Sequence, residues 1–178
     1  MESLATGLAT VGVPALRFSF SGNGGSEGSF EESCITKEIG DLGAVLDALP
    51  GLAAPITLVG HSMGCRVALA AALRRPERVD AVALVDGSHF ASVNGPSAYD
   101  DALASVEAAG GWPVLVRHLF NQMFTEKAPA SLRQRVINRA LTIPEAVGRA
   151  GFASMVAWDV QQLDSALRSF VRPLTVIQ

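Results

Sequence analysis

The chain has 178 residues, a length that corresponds to one ordinary domain with a single core. It is 49% hydrophobic and only 17% charged, and its net charge of −3 gives no electrostatic reason to expect nucleic acid or an anionic membrane as a partner. No apolar run reaches the roughly 18 residues of a membrane span, and the first residues lack the basic and apolar stretches of a signal peptide. We therefore predict a cytoplasmic protein whose two cysteines, Cys34 and Cys65, are reduced thiols.

Four short apolar runs bounded by turn residues predict buried strands. They are residues 15–20, residues 56–59, Ala81–Val85 and Leu174–Ile177. Each is apolar at successive positions, as is typical of parallel strands that are covered on both faces. Helical periodicity occurs between them, in residues 32–49 and 63–73. This alternation predicts an α/β fold with a mostly parallel sheet and flanking helices.

The pattern changes after the third predicted strand, because residues 87–170 contain helical patterns and no further strand candidate. The helical patterns cover residues 99–109, 112–124, 130–141 and 144–167. A segment of this length is too long for a simple crossover between two strands. We therefore predict a core formed by residues 1–86 and 171–178, with residues 87–170 inserted as a helical cap over the sheet.

The motif Gly60-His61-Ser62-Met63-Gly64 stands between a predicted strand and a predicted helix. In a G-x-S-x-G motif the serine occupies a sharp strand-to-helix turn, and the glycines allow strand and helix to approach closely. We expect Ser62 to have a positive φ and an exposed hydroxyl. The Met63 N–H, at the start of the helix, would then point at the oxygen that becomes negative when Ser62 attacks a carbonyl. The pattern predicts Ser62 as a nucleophile and Met63 as an oxyanion donor.

A glycine-rich loop follows the first predicted strand and offers an alternative interpretation. Exposed backbone N–H groups could bind a phosphate there. The glycines concerned are Gly22, Gly24, Gly25 and Gly28. No P-loop lysine follows them, and their spacing fits no dinucleotide-binding motif. Nucleotide binding is therefore not favoured.

These segments together resemble the α/β-hydrolase superfamily over nearly the whole chain. Residues 58–64 resemble its nucleophile elbow, and residues 17–30 resemble its Arg-Phe-Asp-Phe strand and glycine-rich loop. Residues 172–177 are similar to the strand that follows the cap in that family. In two departures, Ser19 stands where the family usually has an aspartate that orders the loop, and Cys65 stands where glycine is frequent. The resemblance implies acyl transfer to water through an acyl-enzyme, with no metal or organic cofactor.

The resemblance also implies a catalytic triad in the chain order serine, acid, histidine. Asp86, at the carboxyl end of a predicted strand, is the candidate acid. His61 is expected to point away from the turn, His89 precedes the predicted cap, and His118 lies within a predicted cap helix. We interpret Asp159 as a contact between cap and core. None of the three histidines occupies the position of the family's base.

The usual acid and histidine of the family would follow the strand Leu174–Ile177, beyond Gln178. Its second oxyanion donor would precede Met1. We therefore expect an incomplete sheet and a fragment that is catalytically inactive alone.

The predicted substrate is a small-to-medium apolar carbonyl compound, because the predicted cap is rich in large apolar side chains. They are Trp112, Phe120, Met123, Phe124, Phe152, Met155 and Trp158. A serine nucleophile allows hydrolysis of an ester, thioester, lactone, amide or carbon–carbon bond. The alternative is a non-catalytic protein of the same fold, which binds a ligand or partner and retains a vestigial elbow.

Overall fold

The computed structural model describes residues 2–49, 54–87, 101, 104, 108 and 110–178. The chain divides into two compact units, Met1–Ser33 and Cys34–Gln178. Each unit is described separately below.

The first unit begins with helix α1, Glu2–Thr10, and ends with a 3-10 turn, Phe30–Glu32. The sequence analysis did not predict α1. It did predict a strand at residues 15–20, and this prediction is wrong, because the segment has no regular secondary structure. A strand requires hydrogen bonds to a neighbouring strand, and among the described residues this segment pairs with none.

The glycine-rich loop of this unit is a compact turn. Gly22 has a φ of +77°, and a Cβ at this position would lie 2.5 Å from the Phe30 nitrogen. The Ser26 hydroxyl donates a hydrogen bond of 2.7 Å to the Ser19 carbonyl. This bond closes the loop although Ser19 replaces the aspartate that is usual in the family.

The second unit contains a parallel sheet of three strands in the order β1-β2-β3: Thr57–His61, Ala81–Val85 and Leu174–Ile177. The last two were predicted at these bounds, whereas β1 lies nearer the serine motif than predicted. At β3 the expectation of a sheet covered on both faces is wrong, because Val176 and Ile177 are 55% and 52% exposed.

Helices α2, Ile35–Ala48, and α3, Gly64–Arg74, supply most of the core. The buried face of α2 includes Ile35, Ile39, Leu42 and Leu46, and α3 packs against α2, β1 and β2. Seven successive residues of α3 after Cys65 are buried, from Arg66 to Ala72. The helix that follows the serine motif is therefore enclosed by protein on nearly all sides.

The segment from residue 87 to residue 170, here called the β2–β3 insertion, contains no strand within its described part. The helices from residue 110 onward are α4, Trp112–Gln122; α5, Ala130–Ala140; α6, Glu145–Trp158; and α7, Asp164–Ser169. A π-helical turn, Asp159–Leu163, joins α6 to α7. The helix predicted at residues 99–109 falls mostly outside the described residues. None of the helices in the described part of the chain is long and apolar enough to cross a membrane.

A buried ion pair joins the β2–β3 insertion to α3. The Nε and one terminal nitrogen of Arg66 contact the two carboxylate oxygens of Asp159 at 2.7 and 2.5 Å. Both side chains are almost fully buried, at 2% and 0% exposure. This confirms the predicted contact of Asp159 between insertion and core. The sequence analysis missed Arg66, although an arginine within an otherwise apolar helix was a visible signal.

We predict that Asp159→Ala destabilises the chain by about 3–5 kcal/mol, because it removes the Asp159 carboxylate from the buried Arg66 guanidinium. The measurement is urea unfolding followed by circular dichroism. Asp164→Ala is the matched control, since this nearby carboxylate pairs with Arg168 on the exposed surface, where both side chains are more than three-quarters accessible. Equal unfolding midpoints for the two variants would contradict the prediction.

Candidate functional site

Ser62 occupies a sharp turn between β1 and α3. Its φ is +54°, in the left-handed region that non-glycine residues rarely adopt, so the predicted positive φ is confirmed. The Ser62 N–H donates to the Val85 carbonyl at 3.0 Å, which extends the pairing of β1 with β2 by one bond. The Ser62 carbonyl accepts from the Cys65 N–H at 3.1 Å at the start of the helix. The chain thus passes from strand to helix within two residues, Ser62 and Met63, and Ser62 stays partly accessible.

The two glycines of the motif have different roles. A Cβ on Gly60 would lie 2.7 Å from the Cys65 Cα and would also meet the Gly64 carbonyl oxygen. The strand and the helix can therefore approach this closely only because residue 60 has no side chain. A Cβ on Gly64 would meet no atom within 4 Å. The prediction that both glycines permit the approach is correct for Gly60 alone.

Met63 stands at the N-terminus of α3, and its role as an oxyanion donor stays a prediction. Met63 is the residue before the first turn of α3, and its carbonyl accepts from the Arg66 N–H at 3.1 Å. Among the described residues no acceptor for the Met63 N–H is present. An N–H group at a helix N-terminus is available to an anionic ligand oxygen.

Asp86 lies next to Ser62 at the carboxyl edge of the sheet. His61 is in register with Val85, so the residues that follow them, Ser62 and Asp86, leave neighbouring strands at the same level. Asp86 has a φ of +50°, and in the described part of the chain these two are the non-glycine residues with positive φ. Backbone strain of this kind concentrates at functional sites. The Asp86 side chain is exposed, and its N–H donates to the Ile177 carbonyl at 2.8 Å.

The histidines are not joined to Ser62 in the described part of the chain. His61 is exposed, and His118 lies on the surface of α4 with its ring Nε2 2.9 Å from the Gln122 side-chain nitrogen. His89 lies outside the described residues. No described histidine makes a hydrogen bond with the Ser62 hydroxyl. Nor do the described residues include a cluster of three or more His, Cys, Asp or Glu side chains that could hold a metal ion.

Cys65 is a buried thiol directly behind the turn. Its sulfur lies 3.3 Å from the Gly60 carbonyl oxygen and 3.4 Å from that of Val85. Burial raises the pKa of the thiol, and the nearby Asp86 carboxylate raises it further, although the Val85 carbonyl contact and the Arg66 charge act in the opposite direction. Because the thiolate is the reactive form, Cys65 is expected to be inert.

The apolar side chains predicted to surround the serine have varied environments. Met123 is 66% exposed, whereas Trp158 is buried and lines a cavity of about 320 Å³ beside Ala70 and Leu73 of α3. A second cavity, of about 420 Å³, lies between α4 and α5. Ser62 lines neither cavity. An apolar pocket around Ser62 stays a prediction.

Comparison with known proteins identifies the class to which this fold belongs. Residues 16–139 match the family described as the alpha/beta hydrolase fold, so the chain belongs to that family. It is also similar to the mitochondrial palmitoyl-protein thioesterase ABHD10 of Homo sapiens and of Pongo abelii, with 40% identity over 73 residues. That match covers 41% of this chain, and the chain spans 23% of the length of these relatives.

Two solved structures share the fold. An extracellular α/β-hydrolase from a Paenibacillus species superposes with a TM-score of 0.65 and 19% identity. The match covers 98% of this chain and 69% of the hydrolase chain. The second is a structure from work on carboxylesterases of the thaumarchaeon Nitrososphaera gargenis, with a TM-score of 0.52 and 18% identity. The match covers 98% of this chain and 65% of the other chain. These likenesses establish the α/β-hydrolase fold for the chain.

We predict opposite effects for alanine at the two glycines of the motif. Gly60→Ala should destabilise the chain by about 1–3 kcal/mol or more, because the new methyl group overlaps the backbone of α3. Gly64→Ala adds the same atoms in open space and improves helix propensity, so it should be neutral or stabilising by up to about 1 kcal/mol. Thermal unfolding of both variants measures the difference, and a Gly64→Ala loss equal to that of Gly60→Ala would contradict this assignment.

We predict that the two thiols differ in reactivity in the native protein. Ellman's reagent should modify Cys34, which is partly accessible, and should reach Cys65 only after unfolding, since that thiol is buried and its pKa is raised. Cys34→Ser should therefore remove the fast-reacting thiol. Rapid modification of the folded Cys34→Ser variant would show that Cys65 is accessible after all.

Proposed function

We propose that this chain carries the nucleophile of a serine hydrolase that cleaves an ester or thioester through an acyl-enzyme on Ser62. In the proposed reaction the Ser62 oxygen attacks the substrate carbonyl and transfers its proton to a base. The carbonyl oxygen becomes an oxyanion that accepts a hydrogen bond from the Met63 N–H. Collapse of the intermediate expels the alcohol or thiol, and water then releases the acid.

The observation that carries the proposal is the backbone of Ser62, with its φ of +54° at the junction of β1 and α3. A serine in an ordinary helical or extended conformation would not present its hydroxyl beyond the sheet edge. In the proposed geometry the hydroxyl would project beside the first N–H groups of α3. One such donor typically contributes a few kcal/mol to stabilising an oxyanion transition state.

Asp86 is the proposed acid of the triad within this chain. It leaves β2 at the level at which Ser62 leaves β1, and its exposed carboxylate could orient a histidine. The histidine itself would belong to a segment other than those described, because no described histidine contacts the Ser62 hydroxyl. A serine without a paired base is a poor nucleophile.

The proposed substrate class follows from the serine and from the relatives. The β2–β3 insertion, residues 87–170, would act as a cap that supplies apolar surface to an acyl chain. Among the bonds open to a serine hydrolase, esters and thioesters are favoured by the names of two relatives, a carboxylesterase and a palmitoyl-protein thioesterase. Because the chain spans 23% of the thioesterase, the activity of the whole protein is part of this proposal.

The experiment compares the 178-residue chain with the protein encoded by the whole reading frame that contains it. Each is treated with a fluorophosphonate probe, and the modified peptide is identified by mass spectrometry. Hydrolysis is followed on a nitrophenyl ester and a thioester that have the same acyl chain. We expect the 178-residue chain to be inert and the whole protein to be labelled at Ser62. Ser62→Ala should abolish labelling and lower the hydrolysis rate by about 10³-fold or more.

Ser131→Ala is the matched control, because Ser131 is exposed on α5 and belongs to no strand-to-helix turn. It should leave labelling and hydrolysis unchanged. Activity of the whole protein that survives Ser62→Ala would overturn the proposal. Activity of the 178-residue chain that depends on Ser62 would place the base within this chain, at His89 or His118.

A second candidate function is ligand or partner binding without catalysis, with the turn as a vestige of an enzyme. The observation that favours it is the absence of a hydrogen bond between Ser62 and any described histidine. This function predicts no probe labelling of the whole protein at Ser62. The same experiment therefore distinguishes the two functions.

A further inference from the structure

The part of the β2–β3 insertion that contains α4 and α5 is basic. Residues 112–140, which contain α4 and α5, hold five lysine and arginine side chains and one acidic side chain, whereas the whole chain has a net charge of −3. Helix α5 itself carries Arg133, Arg135 and Arg139 and no acid. This concentration of charge is not explained by the proposed hydrolysis, which needs no cation away from the oxyanion.

Two of these arginines line a single groove. Helices α4 and α5 pack against each other, and the cavity of about 420 Å³ between them is lined by Arg117 of α4 and Arg133 of α5. Asn121, Gln134 and the acid Glu126 also line it, and the Gln134 side-chain nitrogen donates to the Asn138 side-chain oxygen at 2.7 Å. Among the described residues no carboxylate lies within ion-pair distance of either guanidinium.

The Arg133 side chain is held in place by uncharged groups, so its positive charge is not neutralised. Its guanidinium lies 5.8 Å from the centre of the Phe124 ring, and one terminal nitrogen donates to the Thr125 carbonyl at 3.3 Å. Its Nε is buried and has no hydrogen-bond partner in the described part of the chain. Because no carboxylate among the described residues pairs with it, the Arg133 guanidinium can attract an anion that enters the groove. A fixed guanidinium also loses little conformational entropy when an oxyanion binds.

We propose that the groove between α4 and α5 binds an anionic group, a phosphate or a carboxylate, between Arg117 and Arg133. The guanidinium groups present planar sets of N–H donors that match the oxygens of either anion. Glu126 opposes the binding and limits its strength. The proposal is independent of the reaction proposed at Ser62, since the groove is not lined by any residue of that turn.

The test uses inorganic phosphate and acetate as separate probes, titrated into the 15N-labelled protein while the arginine Nε–H resonances are observed. We expect the Arg133 signal to shift with a dissociation constant in about the millimolar range. Arg117→Ala should weaken binding about fivefold or more, while Glu126→Gln should strengthen it about two- to fivefold. Tighter binding of phosphate would identify a phosphate-bearing ligand, and equal or tighter binding of acetate a carboxylate.

Arg135→Ala is the matched control, because it removes the same charge from an exposed position of α5 that does not line the groove. It should leave the dissociation constant within about twofold, since the charge of an exposed side chain outside the groove is largely screened by water and salt. An Arg135→Ala effect equal to that of Arg117→Ala would show that only the overall charge attracts the anion and would overturn the proposal. The absence of any shift at 50 mM, roughly tenfold above the expected constant, would also overturn it. Ser62→Ala should not change the binding, which separates this test from that of the hydrolase.

Discussion

The buried ion pair between Arg66 and Asp159 is the constraint on which the arrangement of the second unit depends. Arg66 lies in the first turn of α3, where a positive charge is opposed by the helix dipole, so its burial requires a carboxylate. Asp159 supplies that carboxylate from the point at which α6 becomes a π-helical turn. Such turns are rare and often functional. The pair therefore fixes the insertion to the same helix turn that follows Ser62.

The sheet edge shows how close packing and backbone strain are combined in one turn. Gly60 allows β1 to approach α3, and the bond from the Ser62 N–H to Val85 keeps the sheet hydrogen bonding intact up to the strained residue. Asp86 repeats this arrangement on the next strand, with its own bond to Ile177. Positive φ at a non-glycine residue costs on the order of 1 kcal/mol or more. The continued pairing beneath both residues offsets that cost.

Features that depend on local pattern could be predicted from the sequence, and features that depend on distant partners could not. The strands Ala81–Val85 and Leu174–Ile177 and the positive φ of Ser62 follow from apolar runs, turn residues and one motif. The strand predicted at residues 15–20 is absent because strand formation requires a neighbour, which apolarity alone does not provide. The ion partner of Arg66 lies 93 residues away, so no periodicity points to it. The groove arginines, similarly, become a cluster only when α4 and α5 pack together.

The difference between local and distant contributions also helps to decide whether the chain belongs to an enzyme or to a non-catalytic protein that retains a vestigial turn. The Ser62 turn is formed by five residues and by the contact of Gly60 with α3, so it can fold without the catalytic base. A protein that no longer used the turn would gain stability by replacing Ser62 with glycine, or with asparagine, which adopt positive φ at lower cost. It would lose nothing by doing so, since the Ser62 backbone supplies the bonds to Val85 and Cys65. In the described part of the chain the Ser62 hydroxyl has no hydrogen-bond partner, so the presence of serine at this strained position supports the proposal of a hydrolase over that of a vestigial turn.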